Sequence, residues 1–107
     1  MNSLSRPAKD GVPVEGRFAE LSSLHLSTDT AMWLDLWASS FGNEAPVLVA
    51  ANVKGWFVAT RPVGSASSMG CPDDLSRALR FGRFRGFDYL FFHCDAPLIA
   101  DLPQLAW

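Results

Sequence analysis

The sequence predicts an α+β domain of β-α-β-β-α-β order: a ferredoxin-like split βαβ, with an antiparallel four-stranded sheet and two helices on one face. Three observations carry this prediction. Two segments place apolar or small residues at helical spacing: Trp33, Leu36, Trp37 and Phe41, then Leu75, Ala78, Leu79 and Gly82. Three shorter stretches are apolar and hold β-branched or aromatic residues, and a fourth, residues 17–26, alternates loosely. Helix-capping residues, prolines and glycines stand between them.

The first strand falls within residues 17–26, where Phe18, Leu24 and Leu26 are the apolar positions of a loose alternation. Ser27-Thr28-Asp29-Thr30 supplies N-cap candidates and a first-turn acid, so the first helix is expected over residues 29–41, closed by Gly42. Val47-Leu48-Val49-Ala50-Ala51 reads as a buried strand, Lys54-Gly55 as a turn, and Trp56-Phe57-Val58-Ala59-Thr60 as the returning strand of a hairpin. Residues 61–71, with Pro62, Gly64 and Gly70, form a flexible loop. Pro72 at the first helical position, followed by Asp73 and Asp74, starts the second helix, and Gly86 ends it. Tyr89-Leu90-Phe91-Phe92-His93-Cys94 is the fourth strand.

A chain of 107 residues fits one domain. Residues 1–16, without apolar periodicity, read as a flexible lead-in to a domain over 17–107. Hydrophobic residues at 49% against charged residues at 19% give a globular composition, not a disordered one. A net charge of −2 weighs against bulk nucleic-acid binding, which shows as a basic domain. Met1-Asn2-Ser3-Leu4-Ser5-Arg6 has no apolar core of a leader peptide, and no apolar run reaches the ~18 residues of a membrane span. Cys71 and Cys94 form no C-x-x-C pair. Two reduced thiols in a cytoplasmic protein are the expectation.

Two surfaces exceed what the fold needs. The first helix is apolar nearly all round, and the fourth strand is apolar on both faces, whereas a sheet covered by helices on one side is ordinarily polar on the other. Either the tail, residues 98–103, covers that second face, or a homodimer or protein partner does. The second helix points Arg77, Arg80 and Phe84 outward, with Phe81 on the border and Arg83 and Arg85 beside them. Four arginines interleaved with phenylalanines over nine residues suit acidic side chains or phosphate, unless they form an ordinary solvated face.

Catalytic and metal chemistry finds little support. Read as antiparallel neighbours, the first and fourth strands put His25 and His93 on opposite edges of the sheet, so the two share no metal. His93-Cys94-Asp95 holds ligand types on alternating faces, which do not converge on one ion. A Cys-His pair, Cys71 or Cys94 with His25, lacks any local signature. Phosphate-binding glycine loops and the G-x-S-x-G elbow are missing. The expectation is no enzyme, no cofactor and no metal. Lys54-Gly55-Trp56-Phe57-Val58 lies where RNA-recognition domains carry their second aromatic motif, although the small residue between the aromatic positions is missing. Trp56 with the helix arginines therefore supports an alternative, single-stranded nucleic-acid binding.

From about Leu21 onward the chain resembles a family of small bacterial proteins of unknown function, encoded mainly on plasmids and integrative elements. Leu24-His25-Leu26-Ser27 through Thr30-Ala31-Met32-Trp33-Leu34 carries the resemblance. So do Gly55-Trp56-Phe57-Val58, Gly86-Phe87-Asp88-Tyr89-Leu90-Phe91-Phe92, Asp95-Ala96, Leu102-Pro103 and Trp107. The family pattern places an arginine near Cys94, and this sequence has none there. The resemblance implies an accessory gene of a mobile genetic element and a bacterial cytoplasmic setting. By analogy, proteins of this size and setting block host defence machinery. The expected function is a non-catalytic protein-binding module, a counter-defence inhibitor, using Arg77, Arg80, Phe81, Arg83 and Phe84.

Overall fold

A computed structural model describes residues 13–39, 45–61 and 70–105. The chain forms β1 (Phe18–Ser22), α1 (Thr28–Trp37), β2 (Val49–Ala51), β3 (Gly55–Ala59), α2 (Asp73–Phe84) and β4 (Tyr89–His93), with a 3-10 turn over Ser23–His25. The predicted element order is present. The first helix stops at Trp37, capped by Ala38, short of the expected 41; residues 1–12 of the expected lead-in, Phe41, Gly42 and residues 62–69 of the expected loop lie outside the described residues.

The sheet runs β1-β4-β3-β2, which corrects the all-antiparallel expectation. β2 pairs antiparallel with β3 and β3 with β4, but β1 pairs parallel with β4, Phe18 opposite Tyr89 and Ser22 opposite His93. The side chains explain the order. β4 is apolar on both faces and gains most from an interior position, while β1 carries Glu20 and Ser22 between its apolar residues and suits an edge.

Both helices cover one face. Leu21, Val58, Leu90 and Phe92 meet Leu34, Trp37, Leu75, Ala78 and Leu79 in the core. α2 buries the predicted stripe, and Gly82 lets it approach the sheet closely: a Cβ there would stand 2.8 Å from Thr60 Cγ2. α1 is rotated from the expected stripe. It buries Thr30, Ala31, Leu34 and Trp37, leaving Trp33 and Leu36 48% and 42% exposed. Thr30 turns this side inward, its hydroxyl donating to Asp74 of α2 at 2.7 Å.

The helix starts are joined by one carboxylate. Ser27 caps α1, its Oγ accepting from Thr30 N at 3.1 Å. Asp74, in the first turn of α2, accepts from Ser27 N at 2.7 Å, from Thr30 Oγ1 at 2.7 Å and from Leu75 N at 2.9 Å. Pro72 occupies the N-cap position, one residue before the expected one. Gly86 follows the α2 C-cap with φ 83°, a conformation a side chain would strain.

The hairpin turn is set by Asn52 rather than by Lys54-Gly55: Asn52 Oδ1 accepts from Lys54 N at 2.8 Å and Gly55 N at 3.0 Å. Gly55 instead opens β3, where a Cβ would fall 1.9 Å from the Phe92 carbonyl oxygen. The tail does not cover the second sheet face. Leu102 joins the helix-side core and Ile99 packs against it. His25 holds this segment: Nε2 accepts from Ile99 N at 3.0 Å, so Nδ1 carries the proton and donates to the Pro103 carbonyl at 2.9 Å.

Replacing Asp74 with Ala removes bonds to both helix starts and should cost about 2–4 kcal/mol, as loss of a partly buried network does. Asp73→Ala, at an exposed position, should cost under about 1 kcal/mol. Urea unfolding of the two variants measures the difference.

Candidate functional site

The α2 stripe is the most distinctive surface. Leu75, Ala78, Leu79 and Gly82 face the core, so Arg77, Arg80 and Phe84 point away from the sheet in one line. Phe84 is 88% exposed. Arg77 and Arg80 are exposed and have no ion-pair partner among the described residues. The other residues expected here serve the fold. Arg83 Nη1 donates to the Thr60 carbonyl. Phe81 packs against the core and lies under the Arg85 guanidinium, 5.0 Å from its ring centroid, and Arg85 pairs with Asp101 at 3.0 Å.

Trp56 is not part of that line. It shares the helix-side face of β3 with Val58, packs partly against the core, and donates from Nε1 to Asp35 Oδ1 of α1 at 2.8 Å. Its neighbour Phe57 faces the other way. The open sheet face carries a row of rings across three strands. Phe57 stacks on Phe91 with centroids 4.5 Å apart and planes 9° apart, and Phe18 leans on Phe57 at 5.3 Å. Phe18 and Tyr89 remain 50% and 43% exposed. The acid on this face, Glu20, accepts from His93 Nε2 at 2.7 Å, and His93 Nδ1 is buried without a partner among the described residues. Sequence reasoning singled out β4 as apolar on both faces but missed the row, because Phe18, Phe57 and Phe91 come together only through the register. Alternation within each strand was the signal available.

Because β1 and β4 run parallel, His25 and His93 lie toward the same end of the sheet, not on opposite edges as expected. They still do not form a site. Both ring nitrogens of His25 are spent on the tail backbone, so it offers no lone pair to a thiol or metal. Among the described residues, no three His, Cys, Asp or Glu side chains are placed to hold a metal ion. Cys94 is exposed, with Sγ 3.8 Å from Asp95 Oδ1. Cys71 is half-buried; burial, then the nearby Asp74 charge, pushes its thiol above the ordinary value, against the opposing pull of Arg83. That is the reverse of an activated nucleophile. No helix among the described residues is long and apolar enough to cross a membrane.

Fold and surfaces together define a small α+β domain with a basic, aromatic helix face and a ring-lined sheet face. A family model described as "Family of unknown function (DUF5983) C-terminal domain" matches residues 18–107, and the chain belongs to that family. The matched segment begins where β1 begins. No curated protein and no solved structure matches the chain.

The thiols give a direct check of the packing. Cys94 should react first with a disulfide reagent at mildly alkaline pH. Cys71 should follow more slowly, its thiolate scarce because its pKa is raised. Raising the pH further should narrow the gap, as followed by absorbance in wild-type protein and in Cys94→Ser.

Proposed function

We propose that this chain is a non-catalytic protein-binding module that takes an acidic segment of its target on the α2 stripe. The observation that carries the reading is Phe84, 88% exposed in line with two exposed arginines that have no ion-pair partner among the described residues. Covering a phenylalanine ring is worth about 1.5–3 kcal/mol, and a ring flanked by guanidinium groups fits an apolar anchor between carboxylates. Arginine and aromatic residues are the types that dominate binding hot spots. The proposal takes its setting from the family resemblance: an accessory protein of a mobile genetic element, in the bacterial cytoplasm, acting against host defence machinery.

The placement of Trp56 favours protein over single-stranded nucleic acid. Its indole is tied to Asp35 under α1, while the arginines that would hold phosphates point away from the sheet. On the opposite face Phe18 shares its side of β1 with the acid Glu20, which repels phosphate.

A labelled peptide of repeated Glu-Glu-Leu tests the reading by fluorescence anisotropy. Wild-type protein should bind it, and Arg77→Glu with Arg80→Glu should weaken binding at least ~10-fold, about 1.4 kcal/mol. Phe84→Ala should weaken it as well. Unchanged affinity in these variants would show that the stripe is not the site. Tight binding of single-stranded DNA with a steep fall in salt would put the nucleic-acid reading first.

A further inference from the structure

The sheet has two edges, and they are unlike. β1 carries Glu20 between its apolar residues and follows Arg17, and Ser22 N at its end is bound to the Pro97 carbonyl at 3.0 Å. β2 has no such guard. Val47 to Val53 holds neither charge nor proline, and no strand lies beyond β2 among the described residues. Native proteins ordinarily blunt an edge with those residue types, because its free N–H and C=O groups are a template for another strand. The Leu48 carbonyl accepts from Ala59 N at 3.0 Å, and Asn52 N donates to the Gly55 carbonyl at 2.9 Å. Bonding to a neighbour alternates along an antiparallel strand, so Leu48, Ala50 and Asn52 serve β3 while Val49 and Ala51 turn their backbone groups to the open edge. On the sheet face away from the helices, Leu48, Ala50, Phe57, Ala59 and Tyr89 line an apolar hollow of about 420 Å³ beside that edge, and Leu48 is 66% exposed.

We propose that β2 pairs antiparallel with β2 of a second copy of this chain, about a two-fold axis at Val49, joining the two sheets edge to edge. In this register Val49 of each copy exchanges both backbone hydrogen bonds with Val49 of the other. Leu48 falls opposite Ala50, in the kind of pair whose Cα atoms come closest, about 4.5 Å. The leucine of each copy therefore lies over the alanine of the other and fills the hollow. An axis at Ala50 would set alanine against alanine and leave both hollows empty. The large residue and the space for it are on one strand, so the surface fits its own copy. Charge does not oppose the contact. Ala51 comes opposite Val47, so the two Ala51–Trp56 rows stand four residues, about 13 Å, apart along the strands, and the Asp35 carboxylates held by Trp56 stay separated. The contact is isologous and uses up the unguarded edge, so assembly stops at two. Two strands this short bury less than the ~1,200 Å² of a standard interface, which makes the dimer weak and concentration-dependent. α2 packs over β4, away from the edge, so the stripe assigned to the target stays open.

Sedimentation velocity of the full chain over a dilution series, up to about 1 mM, tests the pairing. Wild-type protein should pass from monomer to dimer as its concentration rises. Ala51→Pro puts its ring on the open edge and removes no bond within the sheet, so it should stay monomeric with an unchanged circular dichroism spectrum. Leu48→Lys and Ala50→Glu should each be monomeric. Mixing these two should restore a dimer, because one contact then pairs the new charges and the other is native. Wild-type protein that stays monomeric throughout overturns the proposal, as does a dimer that survives all three substitutions. A mixture that stays monomeric overturns the register at Val49.

Amide hydrogen exchange read by NMR shows which backbone groups the contact covers. The Val49 amide should exchange quickly in dilute wild-type protein and slow on concentration, by the factor that the dimer fraction from sedimentation sets. The Ala50 amide, already directed at β3, should change little. A dimer in which Val49 exchanges as fast as in the monomer overturns the pairing. Slowing of Val49 only when the Glu-Glu-Leu peptide is added, in protein that stays monomeric, would give the edge to a target strand and overturns the pairing as well.

Discussion

The sheet depends on where β4 must lie. Leu90 and Phe92 on one side and Phe91 and His93 on the other are all buried, so this strand needs cover on both faces and neighbours on both edges. Each fully buried leucine or phenylalanine side chain contributes about 1.5–3 kcal/mol, so an edge position for β4 would forfeit more than any other strand could. With β4 inside, its edges are taken by β3, which pairs antiparallel, and by β1, which pairs parallel. Gly55 is a consequence of the same packing: β3 approaches so closely at Phe92 that no side chain fits there.

Asp74 transfers that order to the helices. α1 reaches the layer through a 3-10 turn and α2 through the segment after β3, so nothing in the local chain sets them against each other. One carboxylate accepting from Ser27 N, Thr30 Oγ1 and Leu75 N does so. The acid also complements the positive end of α2, so a single residue serves capping and tertiary registration together. The outward lines on the two helices, Met32 with Leu36 and Arg77 with Arg80 and Phe84, are aligned because their starts are fixed at this point.

Much of this was legible in the sequence, and what was not has physical causes. Local signals placed all six main elements, the buried stripe of α2, the cluster of cap candidates Ser27–Thr30 before α1, and Gly86 past the end of α2. These depend on period and capping chemistry, which neighbours in sequence report. The rotation of α1 was not legible. Trp33 and Leu36 fit a helical stripe as well as Ala31 and Leu34 do, and the choice depends on how closely the sheet approaches and on Thr30 reaching Asp74. Parallel pairing of β1 with β4 is a long-range choice that no local pattern encodes. The family resemblance quoted His25 without a role, and only the fold shows it fastened to Ile99 and Pro103. Of the surface residues picked from the sequence, Arg77, Arg80 and Phe84 share one face. Arg83, Phe81 and Trp56 turn toward Thr60, the core and Asp35.

That division within one helix follows from periodicity. Arg77, Arg80 and Phe84 fall at i, i+3 and i+7, opposite the buried stripe, whereas Arg83 sits beside Gly82, where α2 comes closest to the end of β3. An arginine there can reach the Thr60 carbonyl, which no strand partner satisfies, and its charge also suits the last turn of the helix. Two arginines of the same helix therefore have different consequences when removed. Loss of Arg83 leaves a buried carbonyl without its donor and acts on stability, while loss of Arg77 or Arg80 exposes nothing new and acts on what the surface can bind. The same reasoning separates the aromatics. Phe81 is held between the core and Arg85, but Phe84, one turn from the buried residues, has no packing role to account for its exposure. A large ring kept at the surface without a structural partner is the residue whose presence the fold explains least and an interface explains most.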